Sequence, residues 1–136
     1  MPKTVMLCDD EPHILRAAEF KIARAGYRVR TAADGEEAWQ AIQEESPDIL
    51  ITDCQMPRLD GFGLIERLRH HAPTAALPVY MLTAKGFEIA EAAVERWGLR
   101  GIMPKPFSPR QLLELVEGTI GPPEASLEAA AMGADA

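Results

Sequence analysis

Along these 136 residues, short β-rich runs alternate five times with longer segments of helical period. Parallel neighbours in a sheet need crossovers, and right-handed crossovers are overwhelmingly preferred. The alternation therefore predicts an α/β fold, a doubly wound parallel sheet with helices on both faces. TVMLCD precedes Pro12 at a first helical position, with Ile14, Leu15, Ala18, Ile22 and Ala25 at helix spacing and a close on Gly26. YRVRTA alternates apolar and basic residues like a strand with one exposed face. Asp34 then offers an N-cap with Glu37 three residues on, a capping box, before the stripe of Ala38, Ala41 and Ile42. PDILITD is apolar throughout its middle, as in a strand covered on both sides, and a third helix carries Phe62, Ile65 and Leu68. LPVYMLT is the fourth strand, and Phe87, Ala90, Val94 and Trp97 are the stripe of the fourth helix. GIMP is the fifth strand, and the last helix has Ser108 as N-cap, Pro109 at its first position and Gln111 closing a box.

The chain length suits one well-formed core and not two. We expect one domain over residues 1–121 and a flexible tail rich in proline and alanine over 122–136. A formal charge of -7 argues against general attraction to nucleic acid or anionic lipid, so no direct nucleic-acid or membrane partner is expected. No apolar stretch approaches the roughly 20 residues that span a bilayer, and the start lacks a signal peptide's apolar region, so a cytoplasmic location is expected. Cys8 and Cys54 make neither a disulfide framework nor a zinc site, and both read as buried structural thiols.

In doubly wound sheets, sites gather at the carboxyl ends of the strands. Here the first strand ends at Asp9 and Asp10, the third at Asp53 and the fourth at Thr83, and Lys105 follows the fifth. Two carboxylates about 4 Å apart repel by about 4 kcal/mol at an effective dielectric near 20. A crowded group of them needs a positive partner. One lysine neutralises part of that charge, whereas a hard divalent cation can be held by Asp10 and Asp53 with waters completing its shell. With only His13 nearby among histidines and no need for a cysteine ligand, Mg²⁺ suits the site better than zinc. A carboxylate beside magnesium, a lysine and a hydroxyl is equipped to accept a phosphoryl group, with Asp53 as nucleophile.

VMLCDDEP, DCQMPRLDG, LTA and KPF, in that order and at these separations, resemble the receiver domain of bacterial two-component response regulators, in its single-domain, chemotaxis-regulator-like form. The likeness spans about Val5 to Ile120. It implies a flavodoxin-like sheet of order 2-1-3-4-5 and Mg²⁺-dependent phosphoryl transfer from a histidine kinase or histidine phosphotransfer protein to an aspartate. Carried over by position, it implies Asp53 as phosphoacceptor, Asp10 as a direct metal ligand and Asp9 as a ligand through water. Gln55 would give its backbone carbonyl to the ion. Thr83 would be the switch hydroxyl, Lys105 the phosphoryl-binding lysine, and the Lys105–Pro106 peptide cis. Ala84 fits the small residue beside the hydroxyl. Output would be docking to a downstream protein target or a phosphorylation-dependent homodimer, and the protein would be a signalling phosphoacceptor that catalyses its own transfer and dephosphorylation, not an enzyme with an external substrate.

Three positions depart from the family pattern. Ile102 stands where receivers commonly place a Tyr or Phe that turns inward on activation, so the loop after Thr83 and the fourth helix are expected to shift as a unit. Pro104, with no donor for the ladder, is tolerable on an edge strand. Trp97 occupies a position where a smaller residue is usual, near the face receivers use for partners, and reads better as a side chain that packs down than as a partner anchor. Asp60 reads as a helix N-cap, and His13, His70 and His71 as surface residues. Three alternatives remain: the front part of a longer multidomain regulator, an interaction module that is not phosphorylated, and a phosphatase of the haloacid dehalogenase type. The last typically has a second aspartate two positions after its nucleophile, where this chain has Gln55.

Overall fold

The two segments whose middles are apolar without a break, β1 (Thr4–Cys8) and β3 (Ile49–Asp53), are buried at every residue. They lie side by side inside the sheet of a computed structural model that describes residues 2–84, 89 and 91–124. β2 (Arg28–Ala32), with its alternating basic residues, forms one edge. β4 (Val79–Thr83) and β5 (Gly101–Pro104) complete a parallel sheet of order β2-β1-β3-β4-β5. Pro104 pairs with Thr83 on the outermost strand, where a missing donor leaves no neighbour unserved.

Side chains alternate across the sheet and feed two cores. Met6, Cys8, Leu50, Val79 and Met81 pack with α2 (Gly35–Glu44) and α3 (Gly61–Arg69) through Ala38, Ile42, Leu64, Ile65 and Leu68. On the other face Val5, Leu7, Ile49, Ile51 and Leu82 meet α1 (Pro12–Arg24) and α5 (Pro109–Ile120) through Ala18, Ile22, Leu112 and Val116. Burying each Leu or Ile side chain contributes about 1.5–3 kcal/mol, and register is fixed because a one-residue slip would send each set to the opposite face, against the wrong helices.

The helix starts follow local chemistry. Asp34 caps α2 through the Glu37 amide at 2.9 Å, but the Glu37 carboxylate reaches back to Ala33 N–H at 3.4 Å and not to the cap itself, so only half of the expected box forms. Asp60 caps α3 through Gly63 N–H at 2.8 Å. Ser108 and Gln111 form the full reciprocal box at α5. Gly26, at φ 107°, ends α1 in a conformation that side chains rarely adopt.

A short 3-10 turn at Ala72–Thr74, not foreseen from the sequence, links α3 to β4. Of the expected stripe of α4 (Glu91–Trp97), Phe87 and Ala90 lie outside the described residues, as do Lys85 and the tail beyond Glu124. Val94 and Trp97 are half-buried, and the Trp97 ring lies 5.2 Å from that of Phe62 on α3. Arg69 ties this corner together: its guanidinium donates to the carbonyls of Trp97 and Leu77, each at 2.8 Å, and more weakly to Thr74, Ala75 and Gly98. Among the described residues no helix is long and apolar enough to cross a membrane.

Candidate functional site

The parallel arrangement brings the carboxyl ends of β1, β3, β4 and β5 to one rim, on either side of the crossover point between β1 and β3. Asp9 follows β1 and is anchored there by its N–H to Ala32 O at 3.1 Å. Asp53 ends β3. Gly61 lets α3 start hard against that end, for a Cβ there would lie 2.4 Å from Asp53 O. Thr83 ends β4 and is buried, and its carbonyl accepts from Lys105 N–H at 2.7 Å, which swings the lysine back over the rim. The Lys105–Pro106 peptide that follows is cis.

Lys105 Nζ stands at the centre, 2.8 Å from Asp9 Oδ2, 2.9 Å from Glu11 Oε1 and 3.0 Å from Asp53 Oδ2. The contacts to Glu11 and Asp53 are hydrogen bonds. The contact to Asp9 lacks that alignment, so Asp9 Oδ2 is buried with no hydrogen-bond donor. Asp9 Oδ1 and Asp53 Oδ1 accept from the amides of Glu11 and Gln55 at 3.0 and 3.2 Å.

Carboxylate oxygens of Asp9, Asp10, Glu11 and Asp53 all lie within 4.8 Å of one another. Burial raises the Asp9 pKa above the ordinary carboxylate range, against the pull of Lys105. Burial alone would lower the Lys105 pKa, but Asp9, Glu11 and Asp53 together push it up, so the ammonium stays charged. Glu11 is held below its usual range by Lys105. The donor set is entirely oxygen, and Asp9 Oδ2, ion-paired with Lys105 but without an aligned hydrogen bond, keeps a lone pair that a hard cation would satisfy. Neither thiol competes: both cysteines are buried, and burial raises the Cys54 pKa to about 11 and that of Cys8 further.

Of the residues singled out from the sequence, Asp9, Asp10, Asp53 and Lys105 are gathered in this cluster. Ala84 and Pro106, both exposed, line a cleft of about 500 Å³ that opens beside Lys105 between the start of α1 and the start of α5. Gln55 is exposed at the head of the β3–α3 loop. Ile102 and Trp97 stand away from the cluster. Ile102 lies beside Met81 in the ladder and is 37% exposed, and Trp97 packs on Phe62 at the far end of α4. Sequence reasoning missed Glu11 as a partner of the lysine. Its place in the acidic run DDE was visible, but its reach to a residue 94 positions away was not.

Residues 5–117 match the family described as the response regulator receiver domain. The chain is 38% identical over 112 residues to the alkaline phosphatase synthesis transcriptional regulatory protein PhoP of Bacillus subtilis, a match covering 82% of this chain and 46% of PhoP. It is 39% identical over 110 residues to the probable transcriptional regulator ycf27 of Cyanophora paradoxa, covering 81% of this chain and 45% of that protein. The chain thus spans about half the length of these curated relatives. Among solved structures, the chemotaxis response regulator CheY4 of Vibrio cholerae superposes with a TM-score of 0.81 at 30% identity, covering 88% of this chain and 100% of that one. Sheet order, the acidic rim with its lysine and these matches agree, and the chain belongs to the receiver domain family of two-component response regulators.

Proposed function

We propose that this domain accepts a phosphoryl group on Asp53 from a histidine kinase or a histidine phosphotransfer protein, with Mg²⁺ as cofactor. The observation that carries this reading is the Lys105 ammonium, 3.0 Å from Asp53 Oδ2 inside a cluster of carboxylates that it only partly neutralises. Asp10 and Asp53 would hold the metal directly, Asp9 through water, and the Gln55 carbonyl would complete the protein's share. When bound, the ion supplies positive charge against the equatorial oxygens of the transferring group.

The remaining steps belong to the chain's own side chains. An Asp53 carboxylate oxygen bonds to phosphorus as the bond from phosphorus to the donor's imidazole nitrogen breaks, and that nitrogen keeps the electron pair. Lys105 turns one N–H toward a phosphoryl oxygen, and Thr83 donates its hydroxyl to another. Ala84 leaves the entry open. The product is a modified regulator, not a released substrate.

Incubation with acetyl phosphate and Mg²⁺, followed by intact-mass analysis, is expected to add one phosphoryl group to the wild type and none to Asp53→Asn or to wild type in chelator. Absence of label from both acetyl phosphate and a purified cognate kinase would overturn the reading. The unmodified interaction module, to which the aliphatic Ile102 lends support, would stay unlabelled in the same assay. The output is docking to a downstream protein or homodimerisation. The half-length match to transcriptional regulators supports a second reading, in which the domain is the front of a longer regulator. A natural reading frame that continues past Ala136 into a further domain would favour it.

A further inference from the structure

Glu11 is the one carboxylate of the cluster to which the proposed chemistry gives no task, yet it holds Lys105 as closely as Asp53 does, 2.9 Å against 3.0 Å. Its setting also differs from that of the two buried acids, Asp9 and Asp53. The Glu11 side chain is 44% exposed, against 1% for Asp9 and 9% for Asp53. It is the residue that precedes α1 and lines the same cleft as Lys105, Ala84 and Pro106. An ammonium has three N–H donors. Two are committed to Glu11 and Asp53, and the ammonium also stands 2.8 Å from the buried Asp9 Oδ2, so it has no donor to spare.

A phosphoryl group arriving on Asp53 brings oxygens that need one of these donors, and Glu11 competes for it. The Glu11 charge also stands 2.9 Å from the ammonium that an anionic group must approach, where it is partly screened but not cancelled. Both effects have the same sign. We propose that Glu11 is a positioning residue that restrains Lys105 in the resting pocket and slows phosphoryl entry. The same carboxylate adds negative charge to the metal pocket, so its removal weakens Mg²⁺ binding while speeding transfer once the metal site is filled. This inference rests on Asp53 being the acceptor.

The test follows Mg²⁺ affinity by calorimetry, and Mg²⁺ titrations of the labelling rate with acetyl phosphate, in the wild type, Glu11→Gln and Glu11→Asp. Glu11→Gln keeps size and polarity but removes charge. It is expected to need severalfold more Mg²⁺ for half-maximal rate and to reach a plateau about three- to tenfold above wild type. Glu11→Asp keeps the charge but shortens the reach to Lys105, so it is expected to keep the wild-type Mg²⁺ requirement and to reach a plateau between those of wild type and Glu11→Gln. A side chain that merely shaped the loop would not give opposite changes in metal requirement and plateau. A Glu11→Gln plateau equal to or below that of a labelled wild type would overturn the inference and leave the acceptor reading intact. A wild type that takes no label would overturn both.

Discussion

Asp34 joins two parts of the molecule with one carboxylate. It is buried, one oxygen caps α2 through the Glu37 amide, and the other pairs with Arg58, which holds the left-handed φ of 68° in the β3–α3 loop. The Glu37 amide first, and Arg58 second, keep its carboxyl below the usual carboxylate range. Stability from such a group is present above its unfolded pKa of about 3.9 and is lost as pH falls through the lower folded value. Asp34→Ala is therefore expected to cost about 1–2 kcal/mol near neutral pH in urea denaturation. The gap to wild type should close as pH drops below about 4, and a gap unchanged at that acidity would refute the mechanism. Lys105 is the complementary case, a cation whose removal leaves acids unpaired. Lys105→Met is expected to cost about 1–3 kcal/mol in chelator, less than a fully buried pair because Glu11 faces solvent. Thermal melts with Mg²⁺ should recover part of that loss if the cluster takes the ion. At this scale the acids and the lysine were legible because strand ends are legible. The Glu11 contact was not, since it depends on how far a flexible side chain reaches.

Elements meet through backbone groups that local pattern does not reveal. Arg69 stands on α3 in a position that reads as a basic last turn, yet its guanidinium bonds the carbonyls of Trp97 and Leu77, on the corner where α4 ends and the segment where β4 begins. Arg69→Ala is expected to cost about 1–3 kcal/mol, since those partly buried carbonyls lose their donor. Lysine should not restore it, because a single ammonium cannot span the planar fork's partners. Amide exchange at Gly98 and Leu99, which donate to Glu95 and Val94, is the local readout. Protection unchanged in Arg69→Ala would show that the Phe62–Trp97 contact alone holds the corner. Gly61 marks a different kind of junction. Gly61→Ala is expected to lose about 1–3 kcal/mol by overpacking, because its Cβ would push on Asp53 O and the Met81 side chain. Caps were readable in advance at Asp60 and Ser108, where donor and acceptor are three residues apart. The half-formed box at Asp34 was not, because the Glu37 carboxylate takes the Ala33 N–H in place of that of the cap residue.

Over the whole molecule, the two ends of the described chain are fastened to each other. Lys3 N–H donates to Pro123 O at 2.6 Å, Lys3 Nζ to Ile120 O, and the buried Tyr27 hydroxyl to Gly121 O. Truncation after Ile120 is expected to lower stability by about 1–3 kcal/mol, since Tyr27 and Lys3 lose partners. An unchanged denaturation midpoint would show that this strap contributes nothing. The amino-acid sequence by itself determined the α/β alternation, most helix starts, and which acids stand at strand ends. Periodicity, caps and turn residues act within a few positions, so one stretch of chain carries each signal whole. Only the tertiary structure decided that Lys105 meets Glu11 across 94 positions, that Arg69 closes the α4 corner, and that Ile102 stays partly exposed. Those outcomes depend on sheet order, on the crossing of elements and on side-chain reach, quantities that exist only once distant segments have packed.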